Sequence, residues 1–317
     1  MEKINYLTVQ NFKKKYGSES ACLEALLHFR MSEDNLCFNP LCKAPILKYY
    51  HILKKRKCFI CSRCLRHFYV KSGSIFDHSH TPINIQFEII FKILYTKTGV
   101  SAAQLQREYG ISYKSVFKML HKVRELMQEC LDREINNTQI EHVEIDESFC
   151  PTGKKGLGKH FPFKRGRGSL RNSTILVIME RKGFAKMLTI PNANAETIIP
   201  IILQNVPLGT TIYTDAWPAY KQLESLGYKH AVVNHSKYEY VNQKTGASTN
   251  NAEGIFSSFK RMLGTYRSFS ESKLQNYTNE ACFRHTFRTH HDYGFENLMR
   301  CLGTLSNVYG NTLTEAA

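Results

Sequence analysis

An α/β fold is predicted for the carboxyl-terminal half of this chain, preceded by a cysteine-rich module and a pair of helices. Three observations carry that expectation. Strand-like and helix-like stretches alternate from residue 140 onward, two close cysteine pairs fall within residues 37–64, and a helical pattern broken by Gly110 lies between. The 317 residues, 42% of them apolar, leave room for about two or three domains with a sizeable core.

The charge balance bounds the partner. Forty-three Lys and Arg against 27 Asp and Glu give +16, a field that draws polyanions, so nucleic acid is the first partner to consider. No apolar run approaches the roughly eighteen residues needed to span a bilayer, and residues 1–17 are basic without the apolar core of a signal peptide. An intracellular protein with no membrane partner is expected. In a reducing compartment its ten cysteines point to metal rather than to a disulfide framework.

Taken in order, residues 1–36 read as short helices, with Ala21 to Leu27 the most helix-prone piece. Next come Cys37-x4-Cys42 and, eighteen residues later, Cys61-x2-Cys64. Two close pairs across such a spacer suit a zinc ribbon over residues 37–80, with Cys37, Cys42, Cys61 and Cys64 closing a tetrahedral shell around structural Zn2+. Cys58-x2-Cys61 is an equally good pair by spacing. Cys61 and Cys64 are preferred because they sit just before a strand expected over Arg66 to Val70. Ile83, Phe87, Ile90, Phe91 and Leu94 recur at helical spacing, which predicts an amphipathic helix over 83–97. A further helix stopped by Gly110, a short turn and a second helix capped by Ser112 have the outline of a helix-turn-helix within residues 82–130. Tyr113, Lys114, Ser115 and Lys118 lie on the outward, amino-terminal part of that second helix, where groove contacts to double-stranded DNA are made.

From residue 140 the pattern predicts strands at Ile140 to Phe149, Ser173 to Glu180 and Phe184 to Ile190. A helix at Ala195 to Asn205 and a strand at Thr210 to Asp215 follow. A further helix opened by Pro218, with Leu223 and Leu226 on its buried side, precedes a fifth strand at His230 to Val233. Three strands in a meander followed by two joined through helices describe a ribonuclease-H-like core over residues 140–270, with a helical extension at 271–317. That order places acids. Asp146 falls near the end of the first strand and Asp215 at the end of the fourth. Glu253 opens a helix whose buried stripe is Phe256, Phe259 and Leu263. Three carboxylates suit Mg2+ (or Mn2+), and two such ions about 4 Å apart serve an in-line phosphoryl displacement. Glu147 receives no role, since strand alternation turns it away from Asp146. The loop from Pro151 to Arg171 holds seven Lys or Arg, five Gly and no acid. Lys154, Lys155, Lys164, Arg165 and Arg167 within it are candidates for contacts to a DNA backbone.

Ile145-Asp146-Glu147-Ser148-Phe149 with its Gly-Lys-rich sequel, Tyr213 to Tyr220, Val233-Asn234-His235-Ser236 and Asn250 to Arg261 together resemble the IS1595 insertion-sequence transposases. That family is ISXO2-like and related to the eukaryotic Merlin elements. Gly264 to Arg267, Leu274 to Glu280 and Phe283-Arg284 continue the likeness, which runs from the ribbon to about residue 295. Ser248 stands where the family usually has His. The resemblance implies a DDE transposase that cuts and joins element ends with Asp146, Asp215, Glu253 and Mg2+. Some members carry Asn or His at the third position, and here Glu253 completes the acidic set. It also implies binding to terminal inverted repeats and target DNA, with Lys260 and Arg261 near phosphates. His235 is either close to the site or structural. At least a homodimer is expected, because two element ends must be held together. Two alternatives of other kinds are an inactive copy acting as a sequence-specific DNA-binding regulator, and a ribonuclease-H-like nuclease that cuts without joining.

Overall fold

The computed structural model describes residues 7–31, 36–39, 41–53, 55–136, 139–151, 172–181, 183–234, 241–243, 245–266, 269–288 and 291–303. The protein is a mixed α/β chain that divides into two compact units, residues 1–126 with 289–317, and residues 127–288.

In the first unit, α1 (Val9–Tyr16) and α2 (Glu19–Phe29) start at Thr8 and Ser18, whose side chains accept from the N–H groups of Asn11 and Ala21. A short helix, α3 (Ile46–Tyr49), leads into an antiparallel sheet of β1 (Tyr50–Leu53), β2 (Cys58–Cys61) and β3 (His67–Phe68), in that order. The strand expected over Arg66 to Val70 is only two residues long, because Leu65 turns at φ 58° before it and turn structure resumes at Val70. Helix α4 (Ile83–Tyr95) begins after Pro82 and buries Ile83, Phe87, Ile90 and Leu94. Its Phe87 ring meets Tyr16 of α1 and Phe295 of α10 (His291–Arg300) in edge contacts at 5.5 and 6.0 Å. Helix α5 (Ala102–Tyr109) ends at Gly110, which takes the left-handed conformation at φ 66° and donates its N–H to Gln106. Helix α6 (Tyr113–Asn136) starts beside Ser112, whose Oγ accepts from the Ser115 N–H at 3.2 Å.

The second unit is built on a five-stranded sheet of β4 (His142–Pro151), β5 (Asn172–Glu180), β6 (Ala185–Ile190), β7 (Thr211–Asp215) and β8 (Lys229–Val233). Its order is β6-β5-β4-β7-β8, antiparallel among β4, β5 and β6 and parallel among β4, β7 and β8. Period-two alternation divides β4 between two faces. Val143 and Ile145 face a core made with Leu176, Ile178 and Ile212, covered by Ile198, Ile199 and Ile202 of α7 (Ala195–Asn205). The helix expected after Pro218 is a single 3-10 turn, Pro218–Tyr220, followed by turns through Gly227. Hydrogen bonds there run between residues three apart, from Tyr220 to Trp217 and from Leu223 to Tyr220. This tight winding still seats Tyr220, Leu223 and Tyr228 in the core, so packing overrides the helical spacing.

The other face of the sheet carries Val177 and Met179, with α8 (Asn250–Tyr266) packed across β4 and β5 and α9 (Leu274–Thr286) against β6. Gln275 of α9 accepts the Thr189 N–H at 2.9 Å and donates to the Met187 carbonyl at 2.8 Å, so it satisfies the exposed edge of β6. Fully buried Glu280 accepts from the Tyr266 hydroxyl and from Arg284 Nε, fastening the end of α8 to α9. Among the described residues no helix is long and apolar enough to cross a membrane.

Candidate active site

The parallel pairing of β4 and β7 matches Val143 with Ile212 and Glu144 with Tyr213. Extending that register by two residues sets Asp146 opposite Asp215, on one face of two neighbouring strands. Asp146 Oδ1 accepts the Glu147 N–H at 2.8 Å, and Asp215 Oδ1 accepts the Trp217 N–H at 3.0 Å, which aligns each carboxylate at its strand. Glu253 lies exposed in the first turn of α8, where the helix dipole favours a negative charge. The three acids share one electrostatic neighbourhood. Burial pushes the Asp146 carboxyl up to about 7; the Glu147 N–H opposes this, and the charges of Glu147, Asp215 and Glu253 add to it. They are within electrostatic reach rather than closely packed, since the cysteines below are the one set of three or more potential ligands, among the described residues, whose donor atoms all lie within 4.8 Å. The donor set fits hard divalent cations: all three groups offer oxygen, and the carboxylate charges that add to the burial of Asp146 are ones a cation would offset. Glu147 turns to the opposite face and accepts from the Tyr220 hydroxyl at 2.8 Å, as alternation along β4 requires. Burial, then that carboxylate, hold the Tyr220 hydroxyl well above its ordinary pKa.

Sequence reasoning missed a fourth acid. Glu144 is fully buried two residues before Asp146, where it is paired with Arg181 and bonded to the start of α8. Its nearness in sequence to Asp146 was the one available signal, because its partners lie 37 and 107 residues away.

In the first unit Cys37, Cys42, Cys61 and Cys64 come together with all four sulfurs within 4.8 Å of one another. Cys37 Sγ lies 3.8 Å from Cys64 Sγ, and Cys42 Sγ lies 3.9 Å from Cys61 Sγ. Those separations fit the edge of a thiolate tetrahedron around zinc, about 3.8 Å for Zn–S bonds of about 2.3 Å. Burial pushes the Cys37 thiol up to about 12 against the Tyr50 hydroxyl that donates to it at 3.0 Å. At Cys64 burial acts in the same direction but is outweighed by the Arg66 N–H, the Asn39 side chain and the Cys61 and Cys37 thiols, which bring it down to about 7. Cys58, three residues before Cys61 on β2, faces the other way and meets His67 Nδ1 at 3.7 Å.

The proposed DNA-contacting residues Tyr113, Lys114, Ser115 and Lys118 are all exposed along the first turns of α6. Lys260 and Arg261 are exposed on α8, with Arg261 donating to Ser258 at 3.0 Å. Lys154, Lys155, Lys164, Arg165, Arg167 and His235 lie outside the described residues.

Two acids in register on adjacent strands, with a third on a following helix, lie within a stretch that is similar to a DDE transposase domain. More particularly, residues 140–286 match the ISXO2-like transposase domain of the IS1595 group. The chain is also similar to the uncharacterized protein in transposable element ISH50 of Halobacterium salinarum, 26% identical over 275 residues that cover 83% of this chain and 90% of the relative. Among solved structures it is distantly similar to the Mos1 strand transfer complex, at 13% identity over 71% of this chain and 79% of that one, with a TM-score of 0.30. The Mos1 transposase paired-end complex with left transposon end gives 14% identity over 73% and 83% of the two chains, with a TM-score of 0.28.

Proposed function

We propose that this chain is an active insertion-sequence transposase that binds the terminal inverted repeats of its element and catalyses strand cleavage and strand transfer in a ribonuclease-H-like domain. The observation that carries the reading is the register of Asp146 with Asp215, joined by the electrostatic influence of Asp215 and Glu253 on Asp146. The sheet order, with three antiparallel strands continued by two parallel ones, supports the ribonuclease-H-like assignment.

In this reading Asp146, Asp215 and Glu253 hold two Mg2+ or Mn2+ ions. Bound there, such ions supply Lewis-acid stabilisation of the attacking and leaving oxygens. The chain's own part is positional. β4 and β7 fix two carboxylates side by side, α8 brings the third, and exposed Lys260 and Arg261 lie about two turns further along the same helix to meet phosphates. DNA is bound by α5 and α6 acting as a helix-turn-helix within residues 82–130, with Tyr113, Lys114, Ser115 and Lys118 toward the groove. The ribbon of residues 37–80 is held by structural zinc on its four cysteines. The catalytic domain spans residues 140–270, flanked by the amino-terminal segment 1–36 and the helical extension 271–317. Basic residues of the loop after β4, Lys154, Lys155, Lys164, Arg165 and Arg167, meet the DNA backbone, and a dimer or larger assembly holds the two ends.

Asp146→Asn tests this directly. It should abolish Mg2+-dependent nicking and joining of a plasmid carrying the element's ends while leaving end binding in a gel-shift assay nearly intact. Loss of binding with the same change identifies a structural acid instead. Nicking without any joined product favours a nuclease, and binding without nicking by the unaltered protein favours a regulator.

A further inference from the structure

We propose that Glu144 and Arg181 form the positioning device for the third carboxylate, fixing the start of α8, and with it Glu253, against the strand that carries Asp146. The inference rests on the three-acid reading above. Glu144 and Asp146 occupy alternate positions on the same face of β4, about 7 Å apart along the strand. Glu144 Oε2 accepts the N–H groups of Asn251 at 2.9 Å and Ala252 at 3.2 Å. Its Oε1 accepts from Asn251 Nδ2 at 2.9 Å, Ser248 Oγ at 3.4 Å and Arg181 Nε at 3.0 Å. Ala252 is the residue before Glu253, so the hydrogen bond ends one peptide from the third acid.

Arg181 grips the segment leading into the helix. Its Nη2 donates to the Gly246 carbonyl at 2.8 Å and reaches Ser248 Oγ at 3.3 Å. The guanidinium also lies 3.8 Å from the centre of the Tyr213 ring, two residues before Asp215. Each acid-bearing strand therefore contributes an anchor two residues ahead of its acid, Glu144 on β4 and Tyr213 on β7, and the two anchors meet at Arg181. A local Ser, Thr or Asp cap satisfies the first N–H groups of a helix without tying it to a strand. A fully buried carboxylate carries a desolvation cost, and here it is offset by five donors that fix the helix to β4. What this arrangement adds over a local cap is registration.

The test uses the full chain with Mn2+ as the probe, followed by electron paramagnetic resonance, together with amide hydrogen exchange at residues 251–253 and thermal melting. The unaltered protein should bind Mn2+ in a way that Asp146→Asn removes. Glu144→Gln and Arg181→Lys should each speed exchange at residues 251–253 and raise the Mn2+ midpoint by about tenfold or more, as loss of a partner that orients a ligand does. Glu280→Gln, which alters the buried carboxylate at the other end of α8, should lower Tm while keeping the original midpoint. If Glu144→Gln fails to fold, Arg181→Lys carries the comparison, since it keeps the positive charge and leaves Glu144 bonded to α8. Unchanged midpoints in the foldable variants, with an Asp146-dependent signal in the unaltered protein, overturn the positioning role alone. Absence of that signal in the unaltered protein overturns the three-acid reading together with it.

Discussion

Asp146 shows how a single side chain links chemistry to stability. Burial and three neighbouring carboxylates raise it to about 7, well above the ordinary aspartate value near 3.9. Between those two values the folded chain keeps a proton that the unfolded chain releases, so stability falls as pH rises through that window. Without metal, Asp146→Asn should therefore stabilise the protein at pH 8, by on the order of 2 kcal/mol after allowance for partial exposure, and leave it nearly unchanged at pH 4. Melting curves at the two pH values check the sign. Gly110 is a second residue-scale case. Its φ of 66° is left-handed and an added Cβ meets nothing within 4 Å, so Gly110→Ala should cost about 1 kcal/mol from backbone conformation alone. A loss of 3 kcal/mol or more on the same scale contradicts that account.

At the scale of elements, what was legible in the sequence is what local spacing encodes. The helix at Ala195 to Asn205 and the stop at Gly110 follow from periodicity and caps, and both occur with those bounds. Asp215 ends its strand as counted, but Asp146, expected near a strand end, stands in the middle of β4, because pairing with β5 carries that strand on to Pro151. The turn after Pro218 was not, because Leu223 can be buried by a helix or by tight winding and only the surrounding core decides between them. Glu144 was hidden for a related reason: in Val143-Glu144-Ile145 it looks like any polar residue on a strand, and its partners come from distant stretches of chain. Cys58 is the converse, a residue whose spacing fits a metal pair but whose side of β2 does not. The tie between α8 and α9 yields a further prediction. Glu280→Gln weakens a fully buried network with Tyr266 and Arg284 and should cost about 3 kcal/mol in chemical denaturation, whereas an effect below 1 kcal/mol contradicts a structural role for it.

At the scale of the whole molecule, order along the chain does not give the grouping of elements. Helices α9 and α10 are neighbours in sequence, yet α9 belongs with the large sheet and α10 with the first unit. The cysteine tetrad lies in the first unit and the acids in the second. Stripping zinc should therefore unfold the ribbon and weaken DNA binding while leaving the sheet of the second unit protected in hydrogen exchange, and full folding of metal-free protein contradicts the zinc assignment. The net charge of +16 adds a general attraction for DNA that should fade steeply as salt is raised.

The central claim is that Asp146, Asp215 and Glu253 act as one site. It is tested most directly by measuring nicking and end binding in the same samples for Asp146→Asn, Asp215→Asn, Glu253→Gln and the Asp146→Asn/Asp215→Asn double variant. Each single change should lower nicking by on the order of a thousandfold with binding retained, and the double variant should be scarcely worse than either single one, because groups that act as a unit fail together. Independent, multiplying losses, or a single variant that still nicks at the unaltered rate, contradict it.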